Sequence, residues 1–154
     1  MSLFYKWKQA FVELLKSPII ILRNGLISGL EYKNEHSELH KNSEISPACI
    51  IYYKNGNIYY KSYWVNGKRH RLNDPAYIEY YKNGNISHEE YWVNGKEYRL
   101  KGPACIDYYE DGDMSYVLYF TDGEIYKSEY FAYNEFYLNG NIHCEQYWVN
   151  GKQK

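Results

Sequence analysis

YYKNGNIYYKSYWVNGK, residues 52–68, returns 28 positions later as YYKNGNISHEEYWVNGK, residues 80–96. The frame continues without gaps through YYEDGDMSYVLYFTDGE at 108–124 and FYLNGNIHCEQYWVNGK at 136–152. Written as units, the repeat starts at Pro47, Pro75, Pro103 and Phe131. Aligned columns hold Ala48, Ala76, Ala104 and Ala132; Tyr53, Tyr81, Tyr109 and Tyr137; and Trp64, Trp92, Phe120 and Trp148. A fixed period of this length marks units that bury their apolar rows against copies of themselves, and such arrays present an extended surface rather than one deep cleft.

Each unit carries two turn signals. The first is Asn55-Gly56, Asn83-Gly84, Asp111-Gly112 or Asn139-Gly140, and the second is Asn66-Gly67, Asn94-Gly95, Asp122-Gly123 or Asn150-Gly151. Such pairs favour two-residue type I′ hairpins, because both central residues take positive φ. The expectation is an all-β fold: an extended antiparallel meander of tandem 28-residue β-hairpin repeats laid out as a single-layer sheet. A two-residue first turn sets Tyr53 opposite Ile58, Ile50 opposite Lys61 and Ala48 opposite Tyr63. One surface then collects Ala48, Ile50, Tyr52, Tyr63, Val65 and their counterparts, and is expected to be the packed side. The other carries Tyr53, Ile58 and Trp64 with a charged middle that includes Glu79, Glu90, Asp107 and Glu135.

Residues 1–18 read as an amphipathic helix, with Leu3, Phe4, Trp7, Phe11, Leu14 and Leu15 at helical spacing, Ser2 as N-cap and Pro18 as stop. Its expected role is a cap over the first sheet edge; a membrane-surface or partner-docking helix is the alternative. Residues 19–46 read as a degenerate hairpin, with Asn24-Gly25 as its turn, followed by a polar linker. Residues 47–154 hold the four full units. In the last, the strand Ile142 to Val149 is expected to pair with a second copy of the chain, with Tyr147 and Val149 at the contact.

The chain has 18 Lys and Arg against 19 Asp and Glu, interspersed, so no one-signed stripe offers itself to a phosphate backbone, and nucleic acid is not expected as a partner. Three cysteines without a CxxC pair make neither a disulfide framework nor a zinc motif, which fits a reducing intracellular compartment. Cys49 and Cys105, two units apart, lie about 19 Å apart at ~4.8 Å per strand, too far to cross-link. No stretch is apolar enough to span a bilayer. None of His36, His40, His70, His88 and His143 repeats in register, and His143 and Cys144 are adjacent on a strand and point apart. No catalytic, metal or cofactor residues are therefore expected, although a site assembled from separate repeats stays open.

The YYKNGN and YWVNGK blocks, with RHRLNDPA at 69–76 and YRLKGPA at 98–104, resemble the variant MORN (membrane occupation and recognition nexus) repeats of the style common in giant DNA viruses and in some A/T-rich bacteria and phages. The resemblance implies a protein-interaction scaffold that often self-associates, with phospholipid binding or an antitoxin-like role as alternatives. A viral protein acting on a host factor fits that style. The residues expected to contact a protein partner are Tyr53, Tyr81, Tyr109, Tyr137, Trp64, Trp92, Phe120 and Trp148, since rigid aromatics beside polar groups concentrate binding energy.

Overall fold

The computed structural model describes residues 18–24, 26–41, 45–121, 124–125, 133–146, 148–149 and 152–153. The expected N-terminal helix, Ala132 and Tyr147 lie outside them. The strands are β1 (Ile19–Arg23) and β2 (Leu26–Glu31); then β3 (Cys49–Tyr52), β4 (Ile58–Ser62), β5 (Trp64–Val65) and β6 (Lys68–Arg69). Next come β7 (Tyr77–Tyr80), β8 (Ile86–Glu90), β9 (Trp92–Val93) and β10 (Lys96–Glu97). The last are β11 (Cys105–Tyr108), β12 (Met114–Leu118), β13 (Phe120–Thr121), β14 (Glu124–Ile125), β15 (Tyr133–Phe136), β16 (Ile142–Gln146), β17 (Trp148–Val149) and β18 (Lys152–Gln153). Ten of them form one antiparallel sheet in the order β1-β2-β3-β4-β7-β8-β11-β12-β15-β16. The other eight form four two-stranded sheets, each a small hairpin beside the main one.

The two turn signals fold differently. At the second, Asn66 and Gly67 have φ of 47° and 70°, and Asn94 and Gly95 of 53° and 80°, which makes both type I′ turns. At the first, the only positive φ is the glycine's, 88° at Gly56 and 96° at Gly84. Gly56 N–H donates to the Tyr53 carbonyl at 3.0 Å and Tyr53 N–H to the Asn57 carbonyl at 2.8 Å. This is a three-residue loop, a type I turn closed by a glycine bulge. The expected pair Ile50↔Lys61 stands, and Cys49 faces Ser62, but the bulge shifts the turn end so that Tyr52, not Tyr53, faces Ile58.

Successive hairpins are fastened by side chains acting on the next unit's backbone. The hydroxyls of Tyr53, Tyr81 and Tyr109 donate to the carbonyls of Tyr80, Tyr108 and Phe136 at 2.7, 2.6 and 2.7 Å. Asn57 and Asn85 amides donate to the Lys82 and Glu110 carbonyls, both at 2.9 Å. On the other side of each unit a cation stacks on a tyrosine: Arg71 on Tyr63 at 4.1 Å and Arg99 on Tyr91 at 3.8 Å. The same guanidinium groups reach the Pro75 and Pro103 carbonyls.

The segment after β2, read from sequence as a polar linker, repeats this scheme. Tyr32 N–H donates to the Ala48 carbonyl as Tyr63 N–H does to that of Ala76, and Lys41 stacks 3.1 Å from the centre of the Tyr32 ring. His40 Nδ1 accepts from Asn66 N–H, and His70 Nδ1 from Asn94 N–H, both at 3.1 Å. His40 and His70 therefore occupy one structural slot. Extra residues in the leading unit hide the match from a gapless alignment.

Burial centres on Ala48, Ala76 and Ala104, all at 0% exposure, where ladder, stacked tyrosine and proline converge. Ile78, Ile106, Val117, Tyr63 and Tyr91 are buried on the side expected to pack, with Tyr108, Tyr119 and Phe136 against the Ile106–Val117 cluster. The opposite side also buries residues, namely Cys49, Ser62 and Cys105. Among the described residues no helix is long and apolar enough to cross a membrane.

Candidate functional site

Alternation along the strands puts Glu79 on β7, His88 and Glu90 on β8, and Cys105 and Asp107 on β11 on one face of the sheet. Cross-strand pairing lines them up as Glu79↔His88↔Asp107 in one row and Tyr77↔Glu90↔Cys105 in the next. Farther along the first row come Tyr116, Glu135 and Cys144. An open groove of about 610 Å³ lies over this region, with Glu79, His88, Glu90 and Asp107 among the residues of its floor and Tyr81, Tyr109, Ser87 and Ser115 toward the turn end.

Its polar groups form two hydrogen-bonded sets, one around His88 and Glu90 and one between Tyr77 and Glu79. His88 Nδ1 hydrogen-bonds Asp107 Oδ1, and its Nε2 lies 3.2 Å from Glu90 Oε1. Glu90 Oε2 accepts from Arg69 and, at 2.8 Å, from Trp92 Nε1. The Tyr77 hydroxyl donates to Glu79. Arg69 comes from the small hairpin of the preceding unit, and its guanidinium lies 4.3 Å from the Tyr77 ring centre, 5.3 Å from Trp92 and 5.6 Å from Trp64. That aromatic enclosure holds the cation over the sheet, as a weakly hydrated planar group allows.

These contacts reset the protonation states. Burial works against charge on His88, but hydrogen bonds to Asp107 and Glu90 outweigh it and lift the imidazole to about 9. For Glu90 burial pushes upward, yet His88, Arg69 and Trp92 hold the carboxyl below its usual value. Burial, then the nearby Asp107 and Glu90 charges, raises the Cys105 thiol to about 12. Burial likewise raises the Tyr77 phenol, reinforced by its bond to Glu79. At neutral pH this is an imidazolium between two carboxylates with a neutral thiol beside it. An imidazole engaged at both nitrogens has no lone pair with which to activate that thiol.

The aromatic residues singled out from sequence fall into distinct settings. Tyr81 and Tyr109 line the groove with hydroxyls tied to backbone, and Tyr53 is tied in the same way. Tyr137 is 51% exposed, with its ring 4.5 Å from that of His143. Trp64 and Trp92 are half-buried and flank Arg69, with Trp64 Nε1 donating to Ser62 Oγ at 2.7 Å. Phe120 lies on β13, and Trp148 and Val149 on β17. The charged strip is where the sequence puts it, whereas the joining of His88, Cys105, Asp107 and Arg69 depends on pairing between units. A search for the same face across neighbouring hairpins, rather than for motifs along the chain, would have found it.

No family model, curated protein or solved structure matches this chain.

Proposed function

We propose that the chain is a non-enzymatic, MORN-like array of tandem 28-residue hairpins that binds a protein partner along the groove face, taking an extended segment with basic side chains. The observation that carries this reading is the groove itself: aromatic rings at its turn end beside a carboxylate-rich floor. Because the Tyr81 and Tyr109 hydroxyls are already committed to the backbone, their rings are held in place before any ligand arrives, which lowers the entropy lost on binding. Glu79, Glu90, Asp107 and Glu135 outnumber Arg69 and His88 on this face, so the field favours a cationic segment. An extended strand-rich face also suits a polypeptide better than a compact metabolite. Self-association through β16, the last strand of the sheet order, belongs to the same proposal.

Binding is tested by titrating the full chain with fluorescent lysine- and arginine-rich peptides, acidic peptides of equal length, and anionic vesicles. Affinity for the basic peptides that weakens with salt, and that drops about tenfold or more in Glu79→Gln with Asp107→Asn, supports the proposal. Flotation with vesicles and no discrimination among peptides replaces it with a lipid-surface role. Light scattering reads the second part: a mass near twice 18.5 kDa supports pairing of two chains, and 18.5 kDa at high concentration rejects it.

A further inference from the structure

We propose that His88, Cys105 and Asp107, with Glu90 supporting His88, form a binding site for a divalent transition-metal ion of the zinc class. This inference does not depend on the groove's partner.

Geometry comes first. His88 and Glu90 alternate on β8, Cys105 and Asp107 on β11, and the pairs His88↔Asp107 and Glu90↔Cys105 face each other, so four side chains meet on one face as a two-by-two array. The ligand atoms of His88, Cys105 and Asp107 all lie within 4.8 Å of one another. Zinc bonds of ~2.0–2.3 Å separate tetrahedral ligands by roughly 3.3–3.8 Å, so Cys105 must close by about 1 Å while the His88–Asp107 contact opens to admit the ion. The ion then takes the place of the proton that His88 Nδ1 donates to Asp107, and Nε2–H remains directed at Glu90, the carboxylate-to-histidine support common behind metal-bound imidazoles. Arg69 and Trp92 fix Glu90 from behind.

The donor set decides the class of ion. Thiolate, imidazole and carboxylate together favour zinc or cobalt over magnesium or calcium, which take oxygen ligands. Binding displaces one proton from the thiol and one from the imidazolium, which offsets the two charges of the ion and leaves the net charge of the cluster unchanged. The open groove leaves a fourth position for water.

Composition supports the assignment independently. The same four slots hold Tyr60, Ser62, Tyr77 and Glu79 at the preceding junction, and Tyr116, Leu118, Tyr133 and Glu135 at the following one. Only the central junction gathers His, Glu, Cys and Asp on the shared backbone frame. Tyrosine at the His88 position is thus compatible with the fold, which supplies a conservative probe.

The test is Co²⁺ titration of the chelator-treated full chain under reducing conditions, with Zn²⁺ as competitor. Expected are saturation at about one ion per chain, a near-ultraviolet thiolate-to-cobalt charge-transfer band and the strong visible absorption of tetrahedral cobalt, all removed by Zn²⁺. Cys105→Ser abolishes the charge-transfer band while Cys49→Ser and Cys144→Ser retain it. His88→Tyr, checked for folding by circular dichroism, lowers affinity at least tenfold and loses the rise in thermal midpoint that Zn²⁺ gives the unsubstituted chain. Glu90→Gln weakens binding about 10–100-fold. No charge-transfer band, one that survives Cys105→Ser, or a cobalt affinity left unchanged by His88→Tyr overturns the proposal.

Discussion

The phenolic hydroxyl of Tyr81 donates to the backbone carbonyl of Tyr108 at 2.6 Å, joining the loop end of one hairpin to the strand end of the next. Tyr53 and Tyr109 make the equivalent bonds, each 27 residues along the chain. Regular tyrosines are therefore first a fastening between neighbours. In a sheet whose units touch mainly the units beside them, such junction bonds set how far one hairpin's stability is shared with the next.

Tyr81→Phe removes this bond and leaves the Tyr108 carbonyl short of a partner, at a cost of about 1–2 kcal/mol. Urea unfolding should show a lower midpoint with little change in slope. Tyr137→Phe, at a residue 51% exposed, should change stability by less than ~0.5 kcal/mol. Equal losses at the two positions would mean that the hydroxyl bond is not what fastens the junction.

Asp113 occupies the slot of Asn57 and Asn85, whose amides donate to the Lys82 and Glu110 carbonyls at 2.9 Å. A carboxylate has no proton to offer the corresponding Leu138 carbonyl. Asp113→Asn should supply the missing donor and stabilise by about 0.5–1 kcal/mol, and Asn85→Asp should destabilise by a similar amount. Paired thermal melts moving in opposite directions are the expected result; a drop for Asp113→Asn would refute the shared role of the slot.

What the sequence disclosed and what it hid have physical reasons. Ile50↔Lys61 is legible because period-2 alternation and a turn fix the register of one hairpin. The bulge at Gly56 is not, since Asn-Gly serves a type I′ turn and a type I turn with a glycine bulge equally well. The second turn signals suggest a continuation of the meander, yet Trp64 pairs with Arg69 and leaves the main sheet. His40 and His70 look unrelated until extra residues in the leading unit are accounted for. The cluster at His88 is the deepest omission: its members come from different hairpins, and similarity along the sequence says which residues are equivalent but not which ones face each other across a junction.

Gly29 is where β2 meets β3 too closely for a side chain. A Cβ there would lie 2.9 Å from the Ile50 carbonyl oxygen and collide with Ile51 Cδ1. The isoleucine tip can turn away, but the carbonyl belongs to the ladder and cannot. Gly29→Ala should therefore destabilise by about 1–3 kcal/mol and loosen the leading hairpin. Hydrogen exchange reads this locally, with faster exchange expected at the β2 and β3 amides and little change at β11 and β12. Unchanged protection at β2 would show that the strands separate without cost.

The metal-free protein should lose stability as pH rises through the titration of His88. The imidazole moves from about 6.5 in the unfolded chain to about 9 in the fold, so its ion pairs contribute fully below ~6.5 and are lost progressively as pH approaches 9. Glu90 acts in the opposite sense: its carboxyl is depressed, so its contribution is present above the ordinary carboxylate range and fades as acid protonates it. The groups facing His88 are Glu79 and Tyr77 from β7, Glu90 on its own strand, and Asp107 and Cys105 from β11. Asp107 is 43% exposed, so solvent weakens its share, and a loss of about 2 kcal/mol between pH ~6.5 and ~9 is expected rather than the full value of the shift. His88→Tyr should flatten that slope while leaving the acid limb to the carboxylates. A chelated, unsubstituted chain whose urea midpoint stays constant over the same interval would contradict a charged imidazole held between Asp107 and Glu90.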